Sequence, residues 1–313
     1  MVLALVGLVA TLICVVAATT AYVTVAVGLG ALVVLGSRMA AVPLEAFLGL
    51  GLVVTLASAG WLVARERSTP AELVAYAEAE GSNSEAARRR LEAATTAVAV
   101  GLDVERPGRH VVATEAPVAL TAGYTASEAH LVVSTGLLER LDDDELRAVV
   151  AHELAHLKNR DAAVMTAASL PLIAFRRVRN LLTGTTAVRY GRTSHVRRTD
   201  ALLVVGLVIA APVWAVAELL TASLSRSREF ATDRAAALTT GDPAALAGAL
   251  RAIEDGVAER PTEDFRVAAG AQSLAIVAPP RRGGWPLATH PPTEERIERL
   301  RAMLADGETA TGA

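Results

Sequence analysis

A single cysteine, Cys14, among 313 residues excludes an internal disulfide. It lies in an apolar run, where it reads as a small core or lipid-facing residue. Aromatic side chains make up only 4% of the chain, and Lys158 is its sole lysine. Arginine supplies nearly all the positive charge, a bias with no clear functional content. The formal net charge is -3, which gives no global argument for a nucleic-acid partner. Nucleic-acid motifs, glycine-rich nucleotide loops, internal repeats and heptad arrays are all missing. Charge is missing altogether from residues 1–37.

What is abundant is alanine, leucine and valine. The hydrophobic fraction is 52% and the mean hydropathy +0.40, and the apolar residues are unevenly spread, which points to membrane segments. About 20 apolar residues cross a bilayer. Residues 2–25 form one span, with 26–36 extending it or starting another. Residues 44–63 form a further span, closed by Arg65, Glu66 and Arg67. A secretory signal fits poorly, with no basic leader and a second apolar segment following, so a retained membrane hairpin is expected. Two more apolar segments follow at 162–175 and 201–220. Between them, residues 176–200 carry seven arginines. If both segments cross fully, that loop lies across the bilayer from the polar stretch before residue 162. If 162–175 only dips into the bilayer, the loop and that stretch share the cytoplasmic side that basic loops favour.

The remainder reads as soluble. Helices are predicted over 71–80 and 83–98, the second capped by Ser82 or Ser84, with Arg88, Arg89 and Arg90 facing water. Strand-like pieces follow at 109–114, 119–124 and 130–134. Residues 135–141 then lead into the central helix. Further helices are predicted over 222–240, 244–253 (starting at Asp242-Pro243) and 293–304. Residues 261–270 and 278–284 read as loops, and 305–313 as a disordered tail.

The central helix carries Ala151-His152-Glu153-Leu154-Ala155-His156. Histidines four apart stack on one helix face, and Glu153 lies about 100° round, near enough to hold a water without ligating the metal. This is the H-E-x-x-H pattern of zinc peptidases. Asp142 or Asp143 caps the helix, and Leu146, Val150, Leu154 and Leu157 give it an apolar stripe on the side away from the histidines. A catalytic zinc takes three protein ligands and keeps one position for water. Glu229 is the candidate third ligand. Asp233, one turn on, is placed to accept the second ring proton of His152 and so fix its tautomer. Glu153 is the candidate general base. His290, in the stiff Thr289-His290-Pro291-Pro292 turn, is either a catalytic donor to the oxyanion or structural. Arg228 and Arg296 divide in the same way between assisting the oxyanion and structural salt bridges. His110, His130 and His195 read as surface or satisfied residues rather than ligands. If 130–134 is an edge strand, an extended peptide could pair with it.

Four stretches together resemble a known family: residues 132–146; Ala151 to Asp161; Ser225-Arg226-Ser227-Arg228-Glu229-Phe230-Ala231-Thr232-Asp233; and Thr289 to Ile297. The resemblance is to the M48 membrane zinc metallopeptidases, of the HtpX-like heat-shock protease type. It implies an α+β fold: a mainly helical zincin-type metallopeptidase domain with a small β-sheet, fused to about four membrane helices. The corresponding organisation is a hairpin at 1–66, the first half of the peptidase domain at 67–161, two membrane segments at 162–221 and the second half at 222–304. The resemblance also implies one zinc per chain on His152, His156 and Glu229, and Glu153 as base. Further implied are unfolded or misfolded protein substrates, the lipid bilayer as partner, and a multi-pass cell-membrane protein whose peptidase domain faces the cytoplasm. Departures are Thr232, where the family usually has alanine, and Val118-Ala119-Leu120-Thr121, where it commonly has an Asn-Ala-Phe-Ala-like run. A prenyl-protein-type endoprotease and a catalytically silent membrane scaffold are the alternatives. The first is disfavoured by the small number of apolar segments, the second by the presence of every ligand and of Glu153.

Overall fold

The computed structural model describes residues 77–123, 128–165, 198–258 and 290–311, with a few isolated positions besides. The side chains of 198–213, 257–258 and 306–311 fall outside that description. So do the segments expected at 2–25 and 44–63 apart from isolated positions, most of 166–175, the arginine loop to residue 197, and the loops at 261–270 and 278–284. Among the fully described residues, no helix is long and apolar enough to cross a membrane.

The chain divides into two compact units, residues 1–65 with 166–221 and residues 66–165 with 222–313. The described part of the first is the leading half of a long helix, in which the Thr221 hydroxyl donates to the Ala217 carbonyl at 2.8 Å.

Helix α1 (Glu85–Leu102) starts at Ser84, whose hydroxyl accepts from the Ala87 N–H at 3.2 Å. It runs four residues past the predicted end, to Asp103 in left-handed backbone. The strands are β1 (Gly108–Val112), β2 (Ala119–Ala122) and β3 (His130–Ser134), in spatial order β1-β3-β2. β3 pairs parallel with β1 and antiparallel with β2. The strand at 130–134 is therefore central, not an edge. Its last four residues are buried on both faces, as a central strand requires.

The short helix α2 (Thr135–Arg140) leads into α3 (Asp143–Lys158), the helix of the two histidines. Gly136 allows this junction, because a Cβ there would meet the Glu115 carbonyl oxygen at 2.0 Å. Arg90, expected to face water, instead donates to the carbonyl oxygens of Leu138 and Leu141 and pairs with Asp143. The last carbonyls of a helix lack internal partners, and a guanidinium from α1 satisfies them here. Asp142 caps α3 in a full capping box with Glu145.

Helix α4 (Arg198–Thr240) joins the predicted 201–220 and 222–240 segments into one element of 43 residues that continues through Pro212. The Asp242 carboxylate accepts from the Ala245 N–H at 2.9 Å and starts α5 (Pro243–Ala258). The last helix, α6 (Thr293–Thr311), continues to Thr311, past the predicted end at 304 and into the predicted tail. Ala302, Ala305 and Ala310 favour that extension.

Helix α3 sits at the centre, packed against α1, α5 and β2. The core joins Leu91 and Val98 of α1, Leu131 and Val133 of β3, Leu146 and Leu154 of α3, Leu250 and Ile253 of α5, and Ile297 of α6. Each such side chain, once buried, contributes about 1.5–3 kcal/mol. Burial extends beyond the predicted stripe: Ala148, Val149, Ala151, His152, Glu153 and Ala155 are also shielded from solvent. A helix enclosed on nearly all sides holds its polar residues at fixed positions, away from water.

Candidate metal centre

His152 and His156 stand one turn apart on α3. Their Nε2 atoms face each other at 3.0 Å, with the rings nearly perpendicular. Behind His152, the Asp233 Oδ1 of α4 lies 3.0 Å from Nδ1. Behind His156, the Asp161 Oδ2 lies 2.6 Å from Nδ1. The His156 Nδ1–H is hydrogen-bonded to Asp161, while Asp233 lies close to His152 Nδ1 without an aligned hydrogen bond. With both Nδ1 atoms protonated, the two Nε2 lone pairs face one another. Two facing lone pairs repel unless a cation lies between them.

Glu229 completes the set. Its Oε2 lies 3.6 Å from His152 Nε2 and its Oε1 lies 3.8 Å from His156 Nε2. Among the described residues, these three are the only His, Cys, Asp or Glu cluster whose donor atoms converge as a metal site requires, all within 4.8 Å. Donors about 2.0–2.1 Å from a tetrahedral zinc stand roughly 3.3 Å apart, so the observed spacings need only small adjustments. Glu229 Oε2 has no hydrogen-bond partner, which leaves a buried acceptor for an ion to satisfy. Two imidazoles, one carboxylate and a position for water match a catalytic zinc and suit hard cations poorly.

The surrounding charges fix protonation. Burial pushes the His152 pKa down to about 4, against the opposing pull of Asp233, so the imidazole is neutral at pH 7. Burial alone would raise Glu229 and Asp233. For Glu229 the nearby His290, Arg296 and His156 outweigh it and hold the carboxyl well below the usual range. For Asp233, Arg296 and His152 do the same. Arg296 is fully buried and grips Asp233 with two donors, at 2.8 and 2.6 Å, while its Nη1 stands 3.6 Å from Glu229. Arg228 pairs with Asp161 and donates to the Asn159 carbonyl at 3.2 Å. The two arginines that the sequence left between oxyanion and salt-bridge roles both sit behind the histidine-facing carboxylates.

Glu153 is 1% exposed. Burial pushes its carboxyl up to about 7, although His156 and, after it, Thr121 on β2 favour the charged form. The Thr121 hydroxyl and Glu153 Oε1 make no aligned hydrogen bond. His290 comes to the same place, its Nδ1 lying 3.3 Å from Glu229 Oε1. Its side chain is 9% exposed, and neither ring nitrogen makes an aligned hydrogen bond.

The family model of peptidase family M48 matches residues 85–304, a stretch that runs from α1 into α6 and contains every residue of this centre. The chain belongs to peptidase family M48. Among its relatives are HtpX-like proteases. "Protease HtpX homolog 2" of Methanosarcina acetivorans is 39% identical over 227 residues, covering 70% of this chain and 74% of that protein. "Protease HtpX homolog" of Acidiphilium cryptum is 34% identical over 257 residues, covering 82% and 87%. A solved structure, Ste24p of S. mikatae, matches with a TM-score of 0.45 and 15% identity, over 84% of this chain and 59% of that one.

The centre of this M48 chain contains two residues to which the sequence assigned no role. Asp161 follows α3 by three positions, and its approach to His156 depends on Arg160 adopting a left-handed φ of 55°. Thr121 sits 32 positions before Glu153 in the sequence and reaches it only through the packing of β2 on α3. Aspartate directly after the motif helix was the one legible signal for the first. Nothing local signals the second.

Proposed function

We propose that this M48 protein is a zinc-dependent, membrane-bound endopeptidase that cleaves misfolded or damaged proteins, with His152, His156 and Glu229 as metal ligands. The observation that carries the reading is the 3.0 Å approach of two imidazole nitrogens whose opposite nitrogens lie 3.0 and 2.6 Å from carboxylate oxygens. A zinc ion held there supplies Lewis acidity, which acidifies a water and polarises a carbonyl. Glu153 takes the proton of the attacking water and returns it to the leaving amine. Its raised pKa suits a group that both accepts and releases a proton near neutrality. His290 donates to the substrate oxygen as negative charge develops, a role open to a buried ring with no aligned partner in the resting state. Asp233 and Asp161 fix the tautomers of the histidines, and Arg296 and Arg228 hold the aspartates in turn.

The sheet supports an unselective substrate. The outer edge of β1 is covered by the Gly81–Val112 bridge, whereas among the described residues β2 is paired on one side only. Because Thr121 of β2 meets Glu153, an extended peptide pairing along that strand delivers its backbone to the base and is read with little regard to side chains. Unfolded segments meet that requirement. Attachment to the bilayer rests on the apolar runs at 1–37, 44–63 and 201–220. The peptidase domain faces the cytoplasm together with the arginine loop, which favours a segment 162–175 that does not fully cross.

The test is casein cleavage by detergent-purified protein, with bound metal quantified on the same sample. Wild type should cut and stop on chelation. Glu153→Gln should keep its zinc and lose about 100- to 10,000-fold in rate. Well-folded wild type that binds no metal would overturn the ligand assignment. Zinc retained by both proteins with cleavage by neither would favour the silent scaffold.

A further inference from the structure

His110 and His130 lie on the other face of the sheet from Glu153. Side chains alternate along a strand, and Leu131 and Val133 point into the core shared with α3. Val132 and Val112 pack instead with Leu120 and Ala77 in a separate cluster. His130 shares the face of Val132, and His110 that of Val112. In the parallel register Gly108 stands opposite His130 and His110 opposite Val132, so the two histidines are diagonal neighbours. Their rings meet, with His110 Nε2 3.0 Å from His130 Nδ1 and the centroids 5.2 Å apart.

A glycine makes this contact possible. A Cβ on Gly108 would stand 2.4 Å from His130 Nδ1 and 2.9 Å from its Cε1, so any other residue would displace the ring. Both histidines remain partly open to solvent, and the exposed Glu78 lies close enough to act on His110 electrostatically.

We propose that His110 and His130 form a second metal-binding site, for imidazole-seeking divalent ions such as zinc or copper, on the face of the sheet opposite the catalytic helix. Two ring nitrogens 3.0 Å apart have the separation of adjacent ligands on one ion bound at about 2.0–2.1 Å. Magnesium and calcium prefer oxygen donors and are not expected there. Burial and the neighbouring His130 lower the His110 pKa, against a smaller opposing effect of Glu78, which keeps a lone pair available. Glu78 carries an anionic carboxylate near the pair, and water fills what remains of the coordination sphere. An ion here ties β1 to β3, the strand that leads directly into α2 and α3. The alternative is a single N–H···N hydrogen bond, which gives the same spacing and binds no metal.

The site stands independently of the peptidase reading, and one experiment separates them. Tag-free, full-length protein in detergent is dialysed against micromolar zinc and its bound metal counted, for wild type, Gly108→Ala and His130→Gln. Gly108 does not occupy left-handed backbone, so alanine fits the chain there and only dislodges the ring. Each variant should bind one zinc fewer than wild type while still cutting casein, which also shows that it is folded. With copper, the paramagnetic resonance of wild type should contain a two-nitrogen signal that both variants lose. Equal metal counts in all three proteins would overturn the proposal. A failure of the catalytic centre would instead remove casein cleavage from all three and leave the difference in counts intact.

Discussion

Asp161 Oδ2 reaches His156 Nδ1 at 2.6 Å across a chain reversal made by Arg160 at a φ of 55°. A non-glycine residue in left-handed backbone costs about 1–2 kcal/mol, and here the turn returns the carboxylate to the helix that has just ended. His152 receives the equivalent partner, Asp233, from α4. Each imidazole is thus backed by an aspartate and each aspartate by an arginine, Arg228 for one and Arg296 for the other.

Asp161→Asn removes the anionic partner and leaves the tautomer of His156 unspecified. Zinc affinity should fall by about 10- to 100-fold, the usual effect of losing such a group. Competition with a chromophoric chelator measures it. Arg160→Gly, which keeps Asp161 and relieves the backbone, should leave affinity near wild type. Unchanged affinity in Asp161→Asn would make the contact merely structural.

Arg296 is the only described guanidinium facing both Asp233 and Glu229. Replacing it with methionine strands two buried carboxylates beside each other, a loss on the order of 3–5 kcal/mol. Bound zinc offsets part of that charge, so Arg296→Met should lower the melting temperature far more in chelator-treated protein than in zinc-loaded protein. Equal drops under both conditions would show that Arg296 acts by packing alone.

The parts of the centre legible in the sequence were those set by helical spacing. His152, Glu153 and His156 share one helix, and Glu229 and Asp233 share another, so four-residue steps place each group on its own face. The strand at 130–134 was legible by another local signal, an apolar run between polar ends. Its position in the sheet was not, because strand order depends on which neighbours bury it. The Arg90 contacts with Leu138 and Leu141, and Thr121 beside Glu153, join residues dozens of positions apart. They exist only once α1, β2 and α3 have packed.

The opposite shifts of Glu153 and His152 predict a pH signature in chelator-treated protein. Glu153 titrates at about 7 when folded against 4.5 as a free side chain. Between those values the native state holds a proton that the unfolded state has released, so stability falls as pH rises through the window. His152, at about 4 folded against 6.5 free, does the reverse and gains stability as pH rises from 4 to 6.5. The two slopes oppose each other across most of this range. Glu153→Gln removes only the falling one. Relative to wild type, the variant should therefore gain stability with rising pH, at most about 1.4 kcal/mol per pH unit. Urea unfolding at several pH values in chelator measures the difference, and parallel curves would mean that Glu153 titrates as if exposed.

Thr121 offers a test of the base that leaves Glu153 itself in place. Thr121 favours the charged carboxylate although its hydroxyl makes no aligned hydrogen bond in the resting centre, and valine preserves the shape while removing the hydroxyl. Thr121→Val should push the Glu153 pKa further up, so less of the enzyme holds an ionised base on the acid side. The acid limb of the kcat/KM profile should move to higher pH, with wild-type and variant rates converging on the alkaline side once the base is ionised in both. Zinc content should not change, since Thr121 touches no ligand. A uniform loss of rate at every pH would instead assign Thr121 to substrate binding along β2, and would show that its hydroxyl does not tune the proton affinity of Glu153.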